Sequence, residues 1–339
     1  MTKNLRTGAE VIVDIIQQQG IEHIFGLPGG SVIPIFDALV DSSINLVLTR
    51  HEQGAVHMAD GYARASGKTG VALVTSGPGA TNTITGILTA HMDSIPLVVL
   101  TGQAPTWVLG LDAFQEADVF GISYPVVKHS YLIKSAEEIP RVLREAFFLA
   151  KSGRPGPVLI DLPKDVSSAL IDPNYNESFH LPGYSIPEGI PESDLRETAE
   201  LLKKSKKPVI LVGHGSVISG AEKGVRYIAE KLQIPVTNTL LAKGCFPDTH
   251  ELSLGMLGMH GTAYSNKAVF ECDLIISIGS RWDDRITGKV NEFCKDAVKI
   301  HIDIDPSEIN KVIKVDKSII GDAKSILEAM VPFLEKGDT

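Results

Sequence analysis

Cysteine is scarce in this chain of 339 residues, and Cys245, Cys272 and Cys294 form no C-x-x-C pair. That spacing argues against a disulfide scaffold or a zinc site and fits a reducing, cytoplasmic setting. Apolar runs long enough to span a bilayer are missing, so no membrane partner is expected. The opening MTKNLRTGAE has neither the apolar core of a secretory signal nor the Arg- and Ser-rich character of a transit peptide. Blocks of Lys and Arg are missing too. With 32 basic against 41 acidic side chains the net charge is -9, which gives no sign of a nucleic-acid partner. An anionic substrate or cofactor must therefore be held by local donors, because the overall field repels it.

What is present is enough chain for two domains, each with its own core. Thr7 and Glu10 form a capping box before the apolar helical face Val11, Ile12, Ile15 and Ile16, and Gly20 suits a left-handed cap. Short, wholly apolar runs follow at Ile24-Phe25, Leu46-Val47-Leu48, 71–74 and 97–100, separated by helical stretches such as Glu52 to Ser66. Runs without alternation indicate strands buried on both faces, and so a parallel sheet covered by helices. Residues 169–192 are rich in Pro, Ser and Asn and read as a linker. A second α/β block then begins with Pro208–Val212, followed by a helix through Val225 to Leu232 and strands at 273–278 and 299–304. The reading is α/β, with doubly wound domains at 1–168 and 193–333 and a tail at 334–339.

Three permissive turns close successive strands of the first domain. They are Gly26-Leu27-Pro28-Gly29-Gly30-Ser31, the step into Glu52, and Ser76-Gly77-Pro78-Gly79 with Asn82 one turn further on. Glycines let a ligand approach the backbone, and helix N-termini offer free N–H donors. Glu52 alone reads far better as a first-turn glutamate favoured by the helix dipole. His51 and His57 lie six residues apart, not the four that a zinc-binding H-E-x-x-H requires, so zinc is rejected. In the second domain GHGSVISG is not G-x-G-x-x-G, and a plain structural domain is as good a reading of it.

Resemblance names what spacing leaves open. FGLPGG, RHEQGAVHMADGYARASGKTGV, TSGPGATN, MDSIPLV and DAFQE, in this order, resemble the pyrimidine-binding domain of acetolactate (acetohydroxyacid) synthase catalytic subunits, which are thiamine-diphosphate enzymes. The resemblance implies that Glu52 is the carboxylate that activates the cofactor through its aminopyrimidine ring. Pro28, Thr75, Pro78 and Asn82 match positions lining that ring, and Gly29 and Gln115 match positions beside the reacting carbon. The implied reaction decarboxylates pyruvate and joins the remainder to a second 2-oxo acid. It gives 2-acetolactate or 2-aceto-2-hydroxybutyrate for branched-chain amino-acid synthesis. Pro105–Leu111 replaces the basic residues and Thr associated with the loop before DAFQE, and His91 stands where an aromatic is common.

LLAKGCFPDTHELSLGMLGMHGT, GSRWDDRITGK and HIDIDP resemble the family's Rossmann-like middle domain, which binds FAD in a structural role. The matching positions are Arg154, Gly215, Thr239, Leu240, Leu257, Gly258, Met259, His260, Gly261, Gly279, Ser280, Arg281, Trp282, Asp283, Asp303, Ile304, Asp322 and Ala323. Read without the family, Arg281, Asp283 and Arg285 form a surface ion-pair cluster. The family's third domain holds the cofactor's diphosphate through Mg2+ and is marked by Gly-Asp-Gly, which does not occur in this chain. The expectation is a fragment without that domain and inactive alone. Its partners would be 2-oxo acids, further copies of itself in a homo-oligomer with the active site between subunits, and a regulatory small subunit. Competing readings are a pyruvate oxidase, a 2-oxo acid decarboxylase, or a non-catalytic fragment that binds FAD or dimerises.

Overall fold

The structure, a computed structural model, describes residues 5–175, 178–187 and 189–335. Positions 176, 177 and 188 of the expected linker and 336–339 of the expected tail lie outside the described residues. The chain divides into two compact units, 1–185 and 186–339.

In the first unit the strands are β1 (Arg6–Thr7), β2 (His23–Leu27), β3 (Asn45–Leu48), β4 (Gly70–Val74), β5 (Leu97–Gln103), β6 (His129–Leu132), β7 (Pro157–Pro163) and β8 (Leu170–Ile171). Six of them form a sheet in the order β3-β2-β4-β5-β7-β6, with every neighbouring pair parallel. Wholly apolar strands imply burial on both faces, and the packing shows it. Val98 and Leu100 enter one core with Ile12, Ile15 and Ile16, whereas Leu97 and Val99 enter another with Ala55, Val56 and Ile87. Each such aliphatic side chain contributes about 1.5–3 kcal/mol on burial.

Local signals set the helix ends. Thr7 Oγ1 accepts from the Glu10 N–H at 3.2 Å while Glu10 Oε2 accepts from the Thr7 N–H at 2.7 Å, starting the helix Gly8–Gln18. Gly20 follows with φ 72°. The start of the expected linker is tied down, since β8 pairs antiparallel with β1. Tyr175, Leu181 and Tyr184 also pack on the first core, and the division between units falls after Ser185.

The second unit holds β9 (Pro208–Val212), β10 (Val236–Asn238), β11 (Ser253–Met256), β12 (Leu274–Ile278), β13 (Val298–Asp303) and β14 (Lys317–Ile320). They form one parallel sheet in the order β11-β10-β9-β12-β13-β14. Numbered within the unit this is 3-2-1-4-5-6, the doubly wound order associated with dinucleotide binding. Ile210, Ile276 and Ile300 fill one face and Val209, Leu211 and Ile275 the other. Among the described residues no helix is long and apolar enough to cross a membrane.

Candidate functional site

Parallel doubly wound sheets bind ligands beyond the carboxyl ends of their strands, at the point where strand order reverses. In the first unit that point lies between β2 and β4, the strands followed by the turns carrying Gly29 and Gly77. Ser31 couples these turns. Its Oγ lies 3.0 Å from Thr75 Oγ1 and accepts from the Ser76 N–H at 3.0 Å. Gly29 is forced by the same closeness, because a Cβ there would stand 2.5 Å from Thr75 Cβ.

Glu52 opens the helix Glu52–Ser66 after β3, next to the N-cap residue His51, and is 9% exposed. Asn82 Nδ2 donates to its Oε2 at 3.0 Å. Oε1 points toward Gly79, where an added Cβ would stand 3.3 Å away. Among the described residues nothing donates a hydrogen bond to Oε1. Glu52 is thus a nearly buried carboxylate with one oxygen anchored and the other left as an acceptor. Pro28, Pro78 and Asn82 are exposed around it, and Thr75 and Gly29 are half-buried.

Gln115 is brought in by a loop. It adopts φ 56° and packs on Gly77, itself at φ 56°, whose Cβ would meet Gln115 Cα at 2.9 Å. Three carboxylates hold this loop, one the last residue of DAFQE and two outside the quoted motifs. Glu116 accepts backbone N–H bonds from Gly110 and Ala113, which hold its carboxyl below the usual range. Asp165 accepts from the Thr106 N–H at 3.0 Å. Asp161, on β7, accepts from Thr101 Oγ1 at 2.7 Å and from Gln103 Nε2 at 2.8 Å, and the same Gln103 nitrogen donates to Ala117 O at 2.7 Å. The loop exposes Trp107, Leu111 and Phe114.

Arg154 is the first-unit candidate that the structure keeps apart from this group. It precedes β7 and donates from Nε to Ser94 Oγ at 2.9 Å, at the amino edge of the sheet. The remaining candidates line the opposite kind of edge in the second unit, where they follow the carboxyl ends of all six strands. Gly215 follows β9, Thr239 and Leu240 follow β10, and Leu257–Gly261 follows β11. Gly279–Asp283 follows β12, Asp303 ends β13 ahead of Ile304, and Asp322 and Ala323 follow β14.

Their roles in the fold differ. Gly215 donates its N–H to Gly279 O at 3.0 Å, so that backbone group already has a partner. Trp282 is 2% exposed, adopts φ 58° and packs against Phe293 and His301; it supports the loop from inside. Trp282 Nε1 and Ser280 Oγ are buried without a hydrogen-bond partner among the described residues. Asp303 accepts from the Asp305 N–H and Asp322 from the Ser325 N–H, each at 2.9 Å; the other Asp303 oxygen lies 3.6 Å from His301 Nε2, whereas that of Asp322 is left for a ligand hydroxyl. Leu240, Met259 and His260 are exposed at the same edge, and Leu257 and Ala323 are buried beneath it. Asp283 caps its own helix by accepting from the Arg285 N–H, and among the described residues no ion pair joins Arg281, Asp283 and Arg285. A dinucleotide fits this edge through the strand order, the exposed apolar groups and the carboxylates. Among the described residues no cluster of three or more His, Cys, Asp or Glu could hold a metal ion.

Two family descriptions match the two units. Residues 6–122 match "Thiamine pyrophosphate enzyme, N-terminal TPP binding domain", and residues 195–330 match "Thiamine pyrophosphate enzyme, central domain". The chain belongs to the thiamine pyrophosphate enzyme family. Within it, the chain is 50% identical over 330 residues to a probable acetolactate synthase large subunit of Methanocaldococcus jannaschii, covering 96% of the chain and 56% of that relative. It is 49% identical over 334 residues to an acetolactate synthase of Arthrospira platensis, covering 96% of the chain and 58% of the relative. To the acetolactate synthase isozyme 3 large subunit of Escherichia coli it is 49% identical over 333 residues, covering 97% and 58%. The chain therefore spans less than three-fifths of these relatives' length.

Proposed function

We propose that this chain supplies the pyrimidine-binding and flavin-binding parts of an acetolactate synthase large subunit, with Glu52 as the cofactor-activating carboxylate. The observation that carries the reading is the state of Glu52, nearly buried, held by Asn82 on one oxygen and open on the other. A carboxylate in such a site makes a short, strong bond to a protonated ring nitrogen. Thiamine diphosphate, when bound, supplies the carbanion chemistry of decarboxylation and carboligation. Glu52 holds a proton at the aminopyrimidine ring, Asn82 fixes the carboxylate, and Pro28, Thr75 and Pro78 line the ring. Gly29 and Gln115 border the reacting carbon, with Gln115 held in place by the loop packed on Gly77. FAD occupies the carboxyl edge of the second unit in a structural role, which the 3-2-1-4-5-6 strand order supports. Mg2+ and the diphosphate are held by residues outside this chain. The substrates are pyruvate and a second 2-oxo acid, in the synthesis of valine, leucine and isoleucine. The working form is a cytoplasmic homo-oligomer, with a small regulatory subunit as the relatives' designation "large subunit" supports.

The test uses a full-length protein containing this chain, with thiamine diphosphate, Mg2+, FAD and pyruvate. Acetolactate should form, and Glu52→Gln should lower its rate by about 10²–10⁴-fold, the range for losing a positioned acid–base group. An E52Q enzyme with undiminished rate would refute the role. Acetaldehyde as the main product would point to a decarboxylase, and acetate or acetyl phosphate to an oxidase. The 339-residue chain by itself should form no acetolactate.

A further inference from the structure

Two cysteines that lie far apart in sequence meet in the second unit. Cys272 follows the helix Ala263–Glu271, and Cys294 lies in the segment before β13 with φ 45°. The last carbonyls of a helix lack intrahelical partners. Here one of them, Val269 O, accepts from Cys272 Sγ at 3.1 Å and from Cys294 Sγ at 3.2 Å. The shared oxygen limits the sulfur–sulfur distance to about 6 Å. Both are buried, at 6% and 1% exposure, in a core shared with Val269, Trp282 and Phe293.

We infer that Cys272 and Cys294 form a dithiol that a hydroperoxide closes to an intrachain disulfide. The neighbouring Cys294 thiol favours the Cys272 thiolate and Lys299 adds positive charge, against burial and Asp273; the balance lowers the Cys272 pKa. A thiolate is the reactive form of cysteine. Cys272 sulfur attacks the peroxide, the O–O bond breaks, and an S–O bond forms, giving the sulfenic acid and one water from hydrogen peroxide. Cys294 sulfur then attacks the Cys272 sulfur. The S–S bond forms, the S–O bond breaks, and the thiol proton leaves with the hydroxyl as a second water. Two thiols lose two electrons and hydrogen peroxide gains them. Cys245 is the internal control, because burial pushes its thiol up to about 12 and it lies in a different core from the other two.

The new bond would close the loop 272–294, which contains β12 and the turn Gly279–Asp283. Oxidation would thus restrain one part of the proposed flavin edge without adding any group to it.

The test is a peptide map of the purified chain after hydrogen peroxide, with free thiols blocked under denaturing conditions. Trypsin releases Cys272 in peptide 268–281 and Cys294 in peptide 290–295. The expected product is a cross-link of these two peptides, lighter by about 2 Da than their sum. It should exceed any link to Cys245 by on the order of tenfold and disappear with dithiothreitol. Recovery of both peptides unlinked, with free or over-oxidised cysteine, would overturn the inference. So would Cys245 cross-linking to a similar extent. Cys294→Ser should leave Cys272 as a sulfenic or sulfinic acid without a cross-link; the wild-type map decides even if that variant does not fold.

Discussion

Asp161 shows most sharply how a single residue can escape a sequence reading. It interrupts the apolar run of β7, yet it lies 1% exposed between Thr101 and Gln103. Burial pushes its carboxyl from 3.8 up to about 7, against the two hydrogen bonds that favour the charged form, with Asp118 adding to the rise. The folded protein therefore holds this proton more tightly than the unfolded chain. Asp161's contribution to stability is greatest near pH 4, falls as pH rises toward about 7, and is flat above that. Urea unfolding followed across this window should show wild type losing up to about 4 kcal/mol relative to Asp161→Asn. Parallel curves for the two proteins would show that the carboxyl is already ionised at low pH. Glu52, by contrast, was visible as a carboxylate at a strand-to-helix step, and resemblance supplied its role. The Cys272–Cys294 pair was not visible, because no local pattern reports contacts between segments on opposite sides of a strand. Ser31 was in view only as part of a turn; its hydroxyl bridge between two turns needed the fold.

Elements were legible where a local rule and the burial pattern agreed. The capping box, the helix Glu52–Ser66 and the strands at 71–74, 97–100 and 208–212 all follow from short-range chemistry. β6, β10, β11 and β14 carry polar residues or are three to four residues long, and their pairing partners define them more than their own composition does. The turn after β12 belongs to this scale. Gly279 has φ 63°, and a Cβ there would stand 2.6 Å from Gly215 Cα, so backbone meets backbone where β9 and β12 end. Gly279→Ala combines left-handed strain with that clash, each of which costs about 1–3 kcal/mol. It should lower the unfolding midpoint of the second unit. An alanine variant as stable as wild type would count against the tight turn.

For the whole molecule, each unit has its own sheet and its own cores on both faces. The second unit should therefore fold when expressed as residues 186–339. A cooperative thermal transition and dispersed amide resonances would show this, and a molten fragment would show that it needs the rest of the chain. Two-domain organisation was readable from the change of composition after residue 168. The end of the first unit was harder to place, because Tyr175, Leu181 and Tyr184 are apolar residues dispersed through a polar stretch.

The order of strands also sets a timetable for synthesis. β5 pairs with β4 on one side and β7 on the other, and the Thr101–Asp161 bond spans 60 residues. As the chain leaves the ribosome, Glu52, Asn82 and Gln115 all emerge before β7 can close the edge of β5 and anchor Gln103. Until then the first unit presents an apolar, unpaired strand edge, the feature that invites association with other chains. The residues proposed for catalysis are thus made early but organised late, so a nascent chain stalled short of residue 163 carries them without the site.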